Sequence, residues 1–390
     1  MASELLVGDP IVTQMGRASR ASASVDGAEA WFESEEIALR PSSEAFASAF
    51  LLAAAHARRR LAVSAPVAAD WAAGARHVLE TAHRWWGYPR LWARVNTRPV
   101  ATGPQQGEPR RALCFTGGVD SFFSLLVGGG PIQYLIHAHG FDVHLEDDRR
   151  AAAMAARCRE IAEATSTRLL TIRTNLRTHP TFGPVPWPRT HGGALAALGH
   201  LCADALDTLV ISSSGTYAAP KPWGSHWELD PYWSGAGLRI EHRGAEYSRN
   251  AKLRLIADSP LVRQHLHVCW EHRDDRLNCS RCEKCLRTRS VLAGLGVLQD
   301  FPVLDGPKTL AADLDALPCI TVPARWRRYR EVLADGGSPR DVSRAIERLL
   351  ARSRTHLWRR RIGAWSQPAR AVIRRLTPRP GSIRTINPPQ

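Results

Sequence analysis

Phe115-Thr116-Gly117-Gly118-Val119-Asp120-Ser121 follows a short apolar run, Ala112-Leu113-Cys114, and opens a segment, Phe122 to Val127, that reads as the first turns of a helix. Adjacent glycines let the backbone approach an anion without Cβ interference. The unpaired N–H groups at a helix start turn about half a positive charge toward that anion. Thr116 and Ser121 can add hydroxyl donors, so the stretch reads as a loop for pyrophosphate. It lacks the Gly-Lys-Ser/Thr ending of the Walker A loop, which argues against a kinase or motor ATPase. An ordinary strand-to-helix turn would use the same residues.

Outward from the loop, strand and helix patterns alternate. Strands are expected near Ala112–Phe115, Ile132–Ala138, Arg168–Thr174 and Thr208–Ser213, with helices near Ser121–Val127, Asp148–Ala164 and Gly193–Leu206. Alternation of this kind predicts an α/β fold with a parallel, doubly wound sheet, whose ligands sit beyond the carboxyl ends of the strands. The Gly-Gly loop, His137-Ala138-His139-Gly140 and Ser212-Ser213-Ser214-Gly215 all fall at such ends and are expected to converge. His137, His139 and His144 read more simply as a polar strand end than as an acid or base. From Gly215 to Gly244 runs an irregular stretch with Trp223, His226, Trp227, Glu228, Asp230, Tyr232 and Trp233, read as facing substrate or as a flap covering the core. Upstream, a polar leader precedes a strand at Glu35–Leu39, a helix at Ser43–Arg58, a strand at Leu61–Val63 and a helix at Asp70–Trp86. Together these form a small α/β unit, and Thr102–Arg110 reads as a linker.

Four of the eight cysteines crowd together as Cys269, Cys279, Cys282 and Cys285, spaced C-x9-C-x2-C-x2-C. Four thiolates at these spacings suit tetrahedral Zn²⁺ and leave no open coordination position, so the ion is expected to be structural. An iron–sulfur cluster is the competitor, but the fourth cysteine lies upstream and no Cys-Pro follows. Cys114, Cys158, Cys202 and Cys319 read as core residues.

The phosphate-type loop resembles the Ser-Gly-Gly-x-Asp-Ser loop of the ATP pyrophosphatase (PP-loop) superfamily. With the cysteine spacing, the span from Ala112 to Leu298 resembles the 7-cyano-7-deazaguanine synthase branch. The resemblance implies an adenine nucleotide alpha hydrolase-like fold and cofactors ATP, Mg²⁺ and Zn²⁺. Thr116, Gly117, Gly118, Asp120 and Ser121 would bind the nucleotide, and Cys269, Cys279, Cys282 and Cys285 the zinc. Asn250-Ala251-Lys252 falls where that branch carries a helix-opening lysine, which makes Lys252 the candidate cation beside Asp120, itself read as a magnesium ligand or a helix cap. The implied chemistry is attack by a small carboxylic acid on the α-phosphate of ATP, then displacement of AMP by an amine, and in that branch a further step to a nitrile. Gly215-Thr216-Tyr217 and the tryptophan-rich stretch depart from the branch, so its substrate residues do not carry over. A tRNA-modifying PP-loop enzyme and a non-enzymatic zinc-stabilised nucleotide-binding module are the other readings.

These segments divide the 390 residues into an N-terminal α/β unit (1–108), an ATPase domain (109–265), a zinc-binding module with the following helix (266–320) and a basic helical or disordered tail (321–390). Net charge is +15, and the tail carries 17 Arg against 4 acidic residues, which leaves +2 for everything before it. Such a tail suits a nucleic acid, an anionic surface or an acidic partner, or is a solvated extension. The longest apolar stretch, Ala45 to Ala55, is too short to span a bilayer, and Met1–Gly27 has no basic-then-apolar signal pattern. A cytoplasmic protein is the expectation.

Overall fold

The computed structural model describes residues 3–99, 110–320, 326 and 339–355. Twelve strands are described: β1 (Glu4–Val7), β2 (Ile11–Met15), β3 (Ala18–Val25), β4 (Ala28–Ser34), β5 (Arg60–Val63), β6 (Val67–Ala68), β7 (Thr97–Arg98), β8 (Arg111–Cys114), β9 (Tyr134–His139), β10 (Arg168–Thr174), β11 (Thr208–Ser212) and β12 (Arg239–Arg243). The helices are α1 (Ser43–His56), α2 (Ala69–Trp86), α3 (Val119–Leu126), α4 (Asp148–Ala164), α5 (Trp187–Leu201), α6 (Arg249–Ile256), α7 (Pro260–His265), α8 (Glu283–Gly294) and α9 (Leu310–Ala316), with short 3₁₀ turns between them.

Ten strands form one mixed sheet in the order β12-β11-β8-β9-β10-β4-β3-β1-β5, with β2 paired to β3; β6 and β7 pair separately. From β12 to β10 every pairing is parallel. β8, β9 and β10 step one way across the sheet, and the chain then crosses back to β11 and β12 on the other side of β8. With the right-handed crossovers such units favour, this order is expected to put α3 and α4 on one face and the returning α5 on the other. The helix packing agrees: α5 lies on α1, α3 on α6 and α4 on α7. The order therefore reverses beside β8, and the carboxyl end of that strand opens at the switch point where such sheets bind ligands. Both faces being covered, the central strands read as continuous apolar runs; Thr208 through Ile211 are all buried.

The N-terminal segment differs from expectation in two ways. The polar leader forms β1 to β4, whereas Glu35–Leu39 is not a strand. The reason is local: Ala18-Ser19-Arg20-Ala21-Ser22-Ala23-Ser24-Val25 has poor intrinsic strand propensity, but its small side chains pack where the sheet continues past β10. Residues on both sides of position 108 consequently share one sheet and one hydrophobic core, from Leu5 to Ile240. α1 is buried along nearly its whole length. Its Glu44 carboxylate, fully buried, is met by the Arg98 guanidinium at 2.7 Å, the Ala68 N–H at 2.7 Å and the Ser42 hydroxyl at 3.1 Å. Burial works to raise its pKa, but these partners hold it below the ordinary value. α1 and α5 touch through backbone: a Cβ at Gly193 would stand 2.2 Å from the Ser48 carbonyl oxygen.

Two compact units are recognised, Met1–Cys279 with Val297–Asp305, and Ser280–Gly296 with Gly306–Gln390. In the second, α8 and α9 are joined by an Arg289–Asp313 ion pair at 2.7 Å, both side chains 4% exposed. Residues 340–355 are helical, bury Val342, Ala345, Ile346, Leu349 and Leu350, and engage Asp315 through Arg348. The expected linker Thr102–Arg110, save Arg110 itself, and most of the expected basic tail, including 356–390, lie outside the described residues. No helix among the described residues is long and apolar enough to cross a membrane.

Candidate functional site

The loop after β8 is shaped by Gly117, at φ +67°, and by Gly118, the N-cap of α3. A glycine cap brings no side chain to the first amides of the helix, in contrast to α1, α4 and α6, which Ser42, Asp147 and Ser248 cap. Thr116 is exposed. The Ser121 hydroxyl instead turns back to the Gly118 carbonyl at 3.1 Å. The Gly117 carbonyl accepts from the His267 N–H at 2.8 Å, which fastens the loop to the segment that follows α7.

Asp120 and Lys252, 132 residues apart, meet here. Lys252 Nζ lies 3.3 Å from one Asp120 oxygen and 2.5 Å from the Ser213 carbonyl at the end of β11, and the Arg249 guanidinium pairs with the other oxygen. The lysine side chain is 1% exposed and sits against the Phe123 ring. Burial pulls its pKa down from the ordinary value and the Asp120 charge works against that pull. Both Asp120 oxygens thus face cations. That donor set does not fit a magnesium ligand, and Asp120 does not cap α3 either; it aims Arg249 and Lys252. Arg249 carried no signal in the sequence beyond its position one turn before Lys252.

Parallel pairing of β11, β8 and β9 brings their carboxyl ends to one edge of the sheet. His137 is buried, with Nδ1 3.3 Å from the Phe115 carbonyl, and burial lowers its pKa. His139 contacts the His144 carbonyl at 3.1 Å, and His144 itself is exposed. These histidines belong to the strand end.

The stretch from Gly215 to Gly244 is not wholly irregular, because Arg239-Ile240-Glu241-His242-Arg243 forms β12, parallel to β11. Its charged residues hid it from pattern reading. Trp233 is fully buried in the core, while Trp223 and Trp227 line a small cleft with Ser213, Lys221, Ser225, His226 and His242. His242, not singled out from sequence, holds Asp230 through Nδ1 at 2.7 Å, and the Ser225 hydroxyl donates to the same carboxylate oxygen at 2.7 Å. His226 stacks on Trp227 with ring centroids 3.6 Å apart. Burial lowers its pKa to about 4, so the ring is neutral.

The sulfurs of Cys269, Cys279, Cys282 and Cys285 all lie within 4.8 Å of one another, and all four residues are buried. Zn–S bonds of about 2.3 Å in a tetrahedron require sulfurs about 3.8 Å apart. Cys269 and Cys279 stand at 3.5 Å. The His272 N–H points at the Cys269 sulfur and the Cys285 N–H at the Cys282 sulfur, contacts that stabilise thiolates. The group could hold a zinc ion. Cys158 and Cys202 are buried, where desolvation raises their thiol pKa values to about 12. Cys114 is raised further by the same cause, so these three are inert core thiols.

No family model, curated protein or solved structure matches the chain.

Proposed function

We propose that this protein is an ATP-dependent, adenylate-forming enzyme of PP-loop type that activates a small carboxylic acid for amide or nitrile formation. One observation carries the reading: a glycine-capped helix start opens at the switch point of the parallel sheet, with Lys252 and Arg249 gathered beside it on Asp120. ATP, as its magnesium complex, lays its phosphates along the amides from Gly117 to Ser121. The acid's carboxylate oxygen then bonds to the α-phosphorus as the bond to the bridging oxygen breaks, and the electron pair leaves on pyrophosphate. The helix N-terminus and the two cations offset that charge. Lys252, tethered to Ser213 and Asp120, acts as fixed charge under the loop rather than as a mobile donor. The thiolate group would hold zinc as a structural ion in an adenine nucleotide alpha hydrolase-like frame.

Calorimetry of zinc-loaded full-length protein with ATP and a nonhydrolysable analogue tests the first step, and a screen of a carboxylic-acid pool for pyrophosphate release tests the second. Saturable ATP binding, lost when Gly117 and Gly118 are both replaced by alanine, is the expected result. Absence of ATP binding to the loaded protein would overturn the assignment and leave a zinc-stabilised binding module.

A further inference from the structure

β12 and β5 end the large sheet, and β2 hangs on β3 beside β1. Their outer edges are treated differently. β12 carries Arg239, Glu241 and Arg243, the kind of charge with which natural sheets repel a neighbouring strand. β5 is covered by the chain itself, because the Val63 N–H donates to the Arg94 carbonyl at 3.0 Å and the Arg94 N–H to the Leu61 carbonyl at 2.8 Å. β2 has neither protection. It pairs with β3 on one side and, among the described residues, with no strand on the other. Its five residues, Ile11-Val12-Thr13-Gln14-Met15, are all exposed, uncharged and free of proline. Ile11 and Met15 are 56% and 49% exposed.

We propose that this edge is the interface between two copies of the chain, with β2 pairing antiparallel to β2 of the second copy about a two-fold axis at Thr13. The register follows from the hairpin. β2 and β3 are joined by the two-residue turn Gly16-Arg17, with Gly16 at φ +64° and Met15 opposite Ala18. The pair that closes such a turn is hydrogen-bonded, and bonded pairs alternate along the ladder. Ile11, Thr13 and Met15 therefore turn their main-chain groups toward β3, and Val12 and Gln14 turn theirs outward. With the axis at Thr13, Val12 stands opposite Gln14 of the second copy, which satisfies every outward N–H and C=O of both strands. An axis at Val12 would set Pro10, which has no N–H, opposite Gln14, and an axis at Gln14 would bring the turn residue Gly16 into the ladder. The same register sets Ile11 against Met15 of the second copy. Asp9 and Arg17 lie equally far from Thr13 on either side, so each Asp9 meets the other copy's Arg17. Both are exposed, and neither has an ion-pair partner within the chain among the described residues. This match of charge, side chain and main chain to itself selects a second copy over an unrelated strand.

Sedimentation velocity of full-length, zinc-loaded protein over a dilution series tests this. The 43.0 kDa chain should stand in reversible equilibrium with a species of about twice its mass. Asp9→Arg and Arg17→Asp each bring like charges together and should raise the dimer Kd at least about tenfold, whereas the double exchange Asp9→Arg/Arg17→Asp should restore it. Gln14→Pro removes an outward N–H without touching a bond to β3 and should leave a folded monomer. In oxidised glutathione, Thr13→Cys should cross-link to its own copy, since a non-hydrogen-bonded antiparallel pair holds its Cα atoms about 4.5 Å apart. Gln14→Cys, set two residues out of line with its own copy, should not. A chain that stays monomeric at every concentration, a dimer that survives Gln14→Pro, a charge exchange that fails to restore association, or Gln14→Cys cross-linking as readily as Thr13→Cys would overturn the proposal. ATP calorimetry reports on adenylation separately, so either idea can fail while the other stands.

Discussion

The thiolate cluster draws its four sulfurs from the short span between Cys269 and Cys285, whereas the His242 cleft collects its walls from the end of β11, the loop carrying Trp223 to Trp227, and β12. The first is local in sequence and could be closed by a metal ion. The second is assembled by strand pairing, and one buried carboxylate, Asp230, ties its polar groups together. Each is fragile at a different point. Removing one ligand undoes the cluster, and removing Asp230 leaves two polar side chains orphaned inside the sheet's edge.

The largest effect is therefore expected at the cluster. Cys279→Ser takes away one of four buried thiolates, and metal binding of this type contributes on the order of 10 kcal/mol to folding. Zinc per chain, measured by atomic emission, should fall from near one to near zero, and the region around α8 should lose protection from hydrogen exchange. Retention of stoichiometric zinc by the variant would show that the sulfurs do not act as one site. Asp230→Ala should leave zinc content unchanged while costing about 2–4 kcal/mol in urea unfolding, because His242 and Ser225 are each left as buried polar groups without a partner. A loss under 1 kcal/mol would mean that the cleft relaxes as a surface flap does.

The same contrast governs what could be read from the chain. The loop at Gly117-Gly118 and the cysteine spacing are legible because their geometry is set by neighbours a few residues away. So are Asp148–Ala164 and Arg168–Thr174, whose periodicity and boundaries coincide with α4 and β10. α5 begins at Trp187 rather than near Gly193, because Pro188 reads as a breaker but occupies the first turn, where its missing N–H costs nothing. β3 and β12 were hidden by alanine, serine and charge. Only the sheet, by pairing them with β4 and β11, makes those residues strands. His242 was invisible for the same reason. Asp120 is singled out by its place in the loop, but its pairing with Arg249 and Lys252 depends on where α6 packs.

A pH titration separates buried imidazoles from surface charge. His200 is fully buried, with Nε2 2.9 Å from the Trp233 carbonyl, and burial lowers its pKa to about 4. The unfolded chain, with an ordinary histidine near 6.5, binds the proton first on acidification, so stability rises with pH between about 4 and 6.5 and is lost as pH falls through that window. From pH 7 to pH 5 the His200 contribution should fall by about 2 kcal/mol. His226 shifts in the same direction. Urea unfolding in excess zinc at both pH values, on wild type and His200→Gln, isolates the His200 proton. An unchanged pH slope in the variant would mean that the proton is taken up elsewhere.

The smallest change in stability accompanies the sharpest change in proposed function. Gly117 holds φ +67°, yet a Cβ there would meet the His265 carbonyl and the His267 Cβ at 3.6 Å, ordinary contact distances. Gly117→Ala should consequently cost only about 1–2 kcal/mol, all of it backbone conformation rather than collision. The methyl would nevertheless stand beside the amides expected to receive phosphate, and ATP affinity by calorimetry should drop at least about tenfold, equivalent to about 1.4 kcal/mol. The cleft predicts no such split: Asp230→Ala costs stability first. If Gly117→Ala lowers stability as expected and leaves ATP affinity untouched, the loop after β8 is a strand-to-helix turn, and the nucleotide, if it binds, does so elsewhere on the sheet's edge.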